Sequence, residues 1–171
     1  MKLESLEVRK CALPDRRPHP GRTLVLGLGN DILTDDAIGL RVVRQLEPEF
    51  HGHPFIDIRE TSEMGLALLD FIVGYSKVIL VDSVQTTQAP VGSVHEVDAG
   101  SLSLLPARTP HFLGVGETLA LGRQLGLPMP QEVRVFAIEV HDPYTLGEHM
   151  TSHLEEALPA IVERVAQALN E

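Results

Sequence analysis

Two adjacent carboxylates, Asp35 and Asp36, stand where a helix is expected to begin, after an apolar run and a glycine turn. The apolar run is Leu24–Leu28, and the turn contains Gly27 and Gly29. One acid in such a place is explained by capping, because the helix dipole and the free N–H groups of the first turn favour a carboxylate. One carboxylate is enough for capping, so the second acid suggests a chemical role.

Two other acids and one histidine occupy comparable places. Asp82 ends the apolar run Val78–Val81, and Glu60 follows the strand-like run Phe55–Arg59. His111 lies in a loop that precedes a predicted helix. Carboxylate oxygens together with one imidazole nitrogen suit a divalent transition metal, whereas the lack of thiolates argues against a closed structural zinc site. The sequence therefore permits a metal site but does not prove one.

Each of these candidates also has an ordinary structural role open to it. Asp36 could cap a helix, Asp82 could close a turn, and His111 could bond to the backbone of its own loop. The residue types alone do not decide between these roles and metal binding.

His141 and Asp142 follow the strand-like run Val133–Ile138, so they could line the same cleft. Asp142 is followed by Pro143, which is also an ordinary turn signal. We interpret the other histidines considered, His19, His51, His53 and His95, as solvated.

The elements that must position these residues alternate between strand and helix patterns. Strands are expected at 24–28, 55–59, 78–81 and 133–138, with a further short strand at 91–97. Helical spacing of apolar residues follows Gly39 and Met64, spans 114–125 and runs from Ser152 onward, where Ser152 and Glu155 match a capping box. This order predicts an α/β fold, a three-layer sandwich with a twisted, mainly parallel sheet and helices on both faces. Ligands of such sheets bind outside the carboxyl ends of the strands, where the candidate residues lie.

Length and composition indicate one domain. The chain has 171 residues, of which 43% are hydrophobic, enough to bury a substantial core. Residues 1–22 contain three prolines and a pair of arginines, which is typical of an extension that precedes a domain. We therefore expect an N-terminal extension over 1–22 and a single α/β domain over 23–171.

Charge and motif content exclude several classes of function. The formal net charge of −10 repels phosphate backbones, which argues against a nucleic-acid partner. No apolar run approaches the roughly 20 residues that span a bilayer, and the N-terminus has no signal-peptide pattern, so we expect a cytoplasmic protein with no membrane partner. Cys11 is the single cysteine, so one chain can form neither an internal disulfide nor a thiolate cluster. The glycine turn lacks the third glycine of a dinucleotide fingerprint, and no P-loop or nucleophile elbow is present.

Three motifs resemble those of the nickel–iron hydrogenase maturation endopeptidases. Gly27–Asn30 followed by Leu33–Gly39 resembles the opening motif of that family. Val81–Ser83 resembles its second acidic strand end, and Pro110–Gly114 resembles its histidine loop. The resemblance extends from about Thr23 to the C-terminal helix, and three separated motifs in order are more specific than one glycine turn.

The resemblance implies an endopeptidase, a hydrolase that removes a short C-terminal peptide from the hydrogenase large-subunit precursor after nickel insertion. The metal-contacting side chains of the family correspond to Asp36, Asp82 and His111, and the nickel is a recognition element carried by the substrate. Asp35 is expected to cap a helix or to support the ligands, because adjacent helical residues face different directions. Nickel as a Lewis acid and a cleft carboxylate as general base both remain open, so no catalytic base is assigned.

One position departs from the family pattern. Many members carry an acid followed by paired glycines and a threonine after the second strand, whereas this chain has Glu60–Gly65 with the sequence ETSEMG. Glu60 takes the place of the usual aspartate, and its longer side chain suggests a subgroup adapted to a particular hydrogenase. The first ligand position varies between Asp and Glu in this motif, and here it is Asp36.

Two other functions are compatible with the same residues. A nickel-delivery or nickel-sensing protein would use the same three residues without cutting a peptide, and it would bind nickel tightly by itself. A structural α/β domain would use its carboxylates only as caps, so that Asp36→Ala would cost about 1 kcal/mol of stability. The protease hypothesis predicts weak nickel binding by the free protein, since the substrate supplies the remaining ligands.

Overall fold

The computed structural model describes residues 19–98 and 115–170, in which strands and helices alternate. The strands are β1 (His19–Leu28), β2 (Ile56–Thr61), β3 (Tyr75–Val84), β4 (Val94–Asp98) and β5 (Glu132–Glu139). The α-helices are α1 (Ile38–Phe50), α2 (Leu69–Ile72), α3 (Val115–Gln124) and α4 (Ser152–Leu169). Short 3-10 turns at Asp35–Ala37 and Gly65–Leu68 precede α1 and α2. Within the described ranges, no helix has the length and apolar character needed to cross a membrane.

The five strands form one sheet in the order β2-β1-β3-β5-β4. The first four strands of that order run parallel, and only β4, at the edge, pairs antiparallel, with β5. The parallel strands place their carboxyl ends along a common edge, which we call the carboxyl edge. The predicted mainly parallel sheet is confirmed.

Helices cover both faces of the sheet, as predicted. Helices α1 and α4 pack on one face over alternate strand residues such as Val25, Ile79 and Val81. Helices α2 and α3 pack on the other face over the intervening residues, which include Leu80 and Leu26. Because successive strand residues point to opposite faces, sequence parity assigns each side chain near a strand end to one of these two layers. The α/β three-layer sandwich is confirmed.

Three predicted boundaries differ from the observed ones. Strand β1 begins at His19, four residues before the predicted start of the domain, because its first residues pair with the start of β3. Residues 1–18 of the predicted extension lie outside the described residues. Strand β3 continues through Asp82 to Val84, since β5 pairs with it along that whole length. The predicted capping box at Ser152 is wrong, because Thr151 is the N-cap residue of α4 and no side chain caps that terminus.

The start of α1 lies directly against the sheet backbone. A methyl group on Gly39 would lie 2.2 Å from the carbonyl oxygen of Leu28 and 2.4 Å from that of Val81. A methyl group on Gly27 would lie 2.4 Å from the carbonyl oxygen of Gly39. Contacts this short are repulsive, so only glycine allows the helix to approach β1 and β3 this closely. The approach brings the Asp35–Ala37 turn to the carboxyl edge.

We expect Gly39→Ala to destabilise the fold by about 2–3 kcal/mol or more, because the added methyl would overlap two backbone carbonyls that cannot rotate away. The measurement is urea-induced unfolding followed by far-UV circular dichroism. Gly116→Ala is the matched control, since Gly116 also lies in a helix but has nothing within 4 Å of an added methyl. We expect that control to be neutral or up to about 1 kcal/mol more stable. Equal effects of the two changes would contradict the packing described for α1.

Candidate functional site

Asp35 and Asp36 are both buried in the 3-10 turn between β1 and α1. The N-cap residues of this turn and of α1 are Thr34 and Ala37, and neither of them forms a side-chain capping hydrogen bond. Capping of its own helix does not account for Asp35, whose oxygens accept hydrogen bonds from His141, Asp142 and Thr151. Each carboxylate instead contacts a different part of the carboxyl edge.

Asp36 forms a hydrogen bond with a residue near the end of β3. Its Oδ1 accepts a hydrogen bond of 2.8 Å from the hydroxyl of Ser83. The neighbouring Asp82 is fully buried, and its Oδ1 accepts the backbone N–H of Ser83 at 2.8 Å. By strand parity Ser83 faces the layer of α1, whereas Asp82 faces the layer of α2 and α3. Two of the three predicted metal ligands thus bond to Ser83 at the carboxyl edge, Asp36 to its hydroxyl and Asp82 to its backbone N–H.

His111, the third predicted ligand, lies outside the described residues. Among residues 19–98 and 115–170, no three His, Cys, Asp or Glu side chains form a group that could hold a metal ion. A complete three-ligand site accordingly needs a side chain from elsewhere, and His111 stays a prediction.

Asp35 holds the segment that connects β5 to α4. Its Oδ2 accepts the backbone N–H groups of His141 at 3.1 Å and Asp142 at 2.9 Å. Its Oδ1 accepts the N–H of Thr151 at 2.7 Å, and the hydroxyl of Thr151 donates to Oδ2 at 3.1 Å. Four donors around one buried carboxylate satisfy its hydrogen-bonding capacity and compensate for its loss of water. Asp35 therefore positions this segment and the start of α4.

His141 contributes its backbone to the carboxyl edge, while its imidazole belongs to an exposed residue. Its N–H donates to Asp35, and its carbonyl oxygen accepts the side-chain N–H of Gln85 at 2.6 Å. The turn predicted at Asp142 is present, because Oδ1 of Asp142 accepts the N–H groups of Tyr144 and Thr145. Hydrogen bonds from Thr145 and Tyr144 hold the pKa of the Asp142 carboxyl below its ordinary value.

Glu60, the remaining predicted cleft residue, lies in β2 and forms an ion pair with Arg44 of α1. Its two oxygens accept hydrogen bonds of 2.6 Å and 2.9 Å from that guanidinium. Arg44 also contacts Asp31, in the loop after β1, at 2.8 Å and 2.6 Å. This hydrogen bonding lowers the pKa of the Asp31 carboxyl. We call this group, Asp31, Arg44 and Glu60, the Arg44 cluster.

Glu139, at the end of β5, is a buried acid that was not among the residues predicted from the sequence. Its carboxylate accepts the N–H and hydroxyl of Thr86 at 2.8 Å and 2.6 Å and the N–H of Thr87 at 2.8 Å. His95 of β4 also lies 3.3 Å from it, so the interpretation of His95 as solvated is wrong. His19, likewise interpreted as solvated, stacks on Tyr75 at 4.7 Å between ring centroids. An acid directly after the apolar run 133–138 was the signal that would have identified Glu139.

We expect Asp35→Asn to lower the free energy of unfolding by about 2 kcal/mol or more. The amide nitrogen cannot accept a hydrogen bond, so at least one of the four buried or half-buried donors loses its partner. Urea-induced unfolding is the measurement, and Asp142→Asn is the matched control. Asn at position 142 keeps an oxygen that can accept the same turn hydrogen bonds, so we expect the free energy of unfolding to stay close to that of the wild type. A comparable loss in both variants would argue against a special role of Asp35.

Comparisons with known proteins agree with this architecture. The sequence model of the hydrogenase maturation protease family matches residues 40–168. A hydrogenase 2 maturation protease of Escherichia coli strain K12 is 29% identical over 157 residues, which cover 88% of this chain and 92% of that protein.

Two solved structures are similar over most of their length. The hydrogenase maturating endopeptidase HybD from Escherichia coli is 26% identical, with a TM-score of 0.72 and coverage of 87% of this chain and 92% of that chain. A hydrogenase 2 maturation peptidase from a Thaumarchaeota archaeon is also 26% identical, with a TM-score of 0.61 and coverage of 86% and 97%. These matches confirm the resemblance carried by the three sequence motifs. The chain is a peptide-bond hydrolase, and it belongs to the hydrogenase maturation protease family.

Proposed function

We propose that this enzyme removes the C-terminal peptide of a nickel-loaded precursor of a nickel–iron hydrogenase large subunit. The observation that carries the proposal is the burial of two acids, Asp36 and Asp82, at the carboxyl edge of a sheet of this family, where each forms a hydrogen bond with Ser83. Burying a carboxylate costs several kcal/mol unless hydrogen bonds, opposite charges or a cation compensate. Two buried acids at the carboxyl edge, where the ligands of parallel sheets bind, suit the binding of a cation brought by a substrate.

The donor set suits nickel as a substrate group. Asp36 and Asp82 would contribute carboxylate oxygens, and His111 would contribute an imidazole nitrogen. Three protein ligands leave positions for groups of the precursor, so the loaded precursor is held with its scissile bond near the edge. A precursor without nickel lacks this anchor and escapes cleavage. The partner is therefore the hydrogenase large-subunit precursor, and we place the reaction in the cytoplasm.

The hydroxyl of Ser83 has a supporting part in this proposal. Its hydrogen bond to Oδ1 of Asp36 fixes the rotation of that carboxylate before the substrate arrives. A ligand held in its binding orientation loses less conformational freedom on binding, which favours the loaded precursor. Water activation by the substrate nickel and by a carboxylate of the cleft are both compatible with this arrangement.

The test is cleavage of purified precursor, with and without nickel, followed by mass spectrometry of the released peptide. We expect Asp36→Ala and Asp82→Ala each to lower the rate of cleavage about 100-fold or more, because the anchor of the substrate loses a ligand. Asp98→Ala is the control, since Asp98 is an exposed acid at the end of β4, and it should cleave at the wild-type rate. Circular dichroism establishes that each variant is folded. Unimpaired cleavage by folded Asp36→Ala, or equal cleavage of the nickel-free precursor, would contradict the proposal.

Nickel binding by the free enzyme separates the protease from a nickel-delivery protein. With three side-chain ligands, we expect titration calorimetry to give a dissociation constant of about micromolar or weaker. Nanomolar binding by the free protein, together with an uncut precursor, would favour delivery or sensing.

A further inference from the structure

The Arg44 cluster joins three separate elements near the candidate site. The guanidinium of Arg44 in α1 donates hydrogen bonds to both oxygens of Glu60 in β2 and to both oxygens of Asp31 in the loop after β1. Four hydrogen bonds of 2.6–2.9 Å make both contacts bidentate. Bidentate pairs of this kind are the most strongly oriented ion pairs available to side chains.

The two acids of the cluster have different positions relative to the reaction site. Asp31 begins the segment that leads to the Asp35–Ala37 turn, in which Asp36 lies. Glu60 lies opposite Gly27 of β1 in the register of the sheet. The cluster therefore ties the loop after β1 to the neighbouring strand, on the side from which Asp36 is presented.

Strand parity separates Glu60 from Asp82. Glu60 shares its face of β2 with Ile56 and Ile58, which pack against the layer of α1 and α4. Asp82 shares its face of β3 with Val78 and Leu80, which pack against the layer of α2 and α3. Glu60 thus lies on the opposite face from Asp82 and on the same face as Ser83, the partner of Asp36, and on that face Glu60 pairs with Arg44.

The segment fixed by the cluster is otherwise short and partly exposed. Ile32 is 59% exposed, although its carbonyl oxygen accepts the N–H of Gly147 at 3.0 Å. Leu33 forms an isolated antiparallel bridge with Leu146, which is 75% exposed. Backbone hydrogen bonds hold the later residues of this segment, where the N–H of Thr34 donates to Thr145 at 3.0 Å, and the ion pairs of Asp31 hold its start.

We propose that Arg44 is a positioning residue for precursor cleavage, which fixes the Asp31–Thr34 segment against β2 and holds Glu60 as a structural support instead of a water-activating base. This inference rests on the proposed function. Both oxygens of Glu60 accept hydrogen bonds from one guanidinium, and a proton taken from water would neutralise the carboxylate and weaken that ion pair. The hydrogen bonds from Arg44 lower the pKa of the Asp31 carboxyl, so this ion pair persists further into the acidic range than an ordinary aspartate would allow.

The first experiment compares steady-state cleavage of nickel-loaded precursor by Glu60→Gln, Arg44→Met and the double variant. Arg44→Met keeps an unbranched apolar side chain on α1 and removes the charge. We expect each single variant to lower kcat/KM about threefold to tenfold, mainly through KM, because the segment that receives the substrate is less ordered. The double variant should match Arg44→Met alone, since Glu60 acts through Arg44. Arg123→Met, an exposed position on α3, is the control and should equal the wild type.

A general base would give a different pattern. Loss of such a base lowers kcat by about 100-fold or more and removes the acidic limb of the pH profile of kcat. That result for Glu60→Gln, with less than tenfold loss in Arg44→Met, would overturn the proposal. Losses that multiply in the double variant would also overturn it, whereas an unchanged pH profile in both single variants supports it.

Amide hydrogen exchange tests the cluster without any turnover. We expect Arg44→Met to raise the exchange rate over residues 31–34 about fivefold to tenfold, with no change in the Arg123→Met control. Unchanged exchange in Arg44→Met would overturn the positioning role. If the wild type failed to cleave the loaded precursor, the proposed function would fail, and the exchange result would still decide whether Arg44 orders this segment.

Discussion

The close approach of α1 to the sheet is the constraint on which the candidate site depends. A side chain on Gly39 would overlap the carbonyl oxygens of Leu28 and Val81. The start of the helix can therefore lie against both strands only because this residue is glycine. This approach places the preceding 3-10 turn within hydrogen-bond reach of Ser83, near the end of β3. If the helix were displaced outward by the width of a methyl group, Asp36 would no longer reach the hydroxyl of Ser83.

The buried acids of the carboxyl edge are compensated by different partners, and the partners indicate their roles. Asp35 is surrounded by four donors from the segment before α4, so it is a structural acceptor. Glu139 is compensated in the same way by Thr86 and Thr87. Asp36 instead contacts a hydroxyl that can reorient to suit a changed charge nearby. Asp35 and Glu139 thus have structural partners in the backbone near the carboxyl edge, and Asp36 is the acid for which we propose contact with the substrate metal.

Much of the fold could be predicted from the sequence, because periodicity reports burial directly. The runs at 24–28, 78–81 and 133–138 alternate with helical spacing, and that order leads to the three-layer sandwich. The exact ends were not predictable in the same way, since pairing decides them. Asp82 belongs to β3 because β5 pairs alongside it, and His19 belongs to β1 because the start of β3 pairs with it. Likewise Ser152 matched a capping motif, but the helix begins after Thr151, whose N–H and hydroxyl are bound by Asp35.

The roles of the individual acids were less predictable, because a carboxylate at a strand end looks the same in sequence whether it meets a metal, a backbone N–H or an arginine. Parity supplies part of the missing information. Alternation along β3 assigns Asp82 and Ser83 to opposite layers, and alternation along β2 assigns Glu60 to the layer of α1.

The role of an acid also depends on its hydrogen-bond partner, and the sequence did not identify Arg44 as the partner of Glu60. It lies 16 residues before Glu60, and only the packing of α1 over β1 and β2 brings the two together. A longer acid at position 60 therefore has a physical counterpart in this chain: the extra methylene extends its carboxylate to an arginine that also holds Asp31. Glu60, which the resemblance marks as a departure from the family pattern, thus shares its arginine with Asp31, and the two acids should be interpreted together.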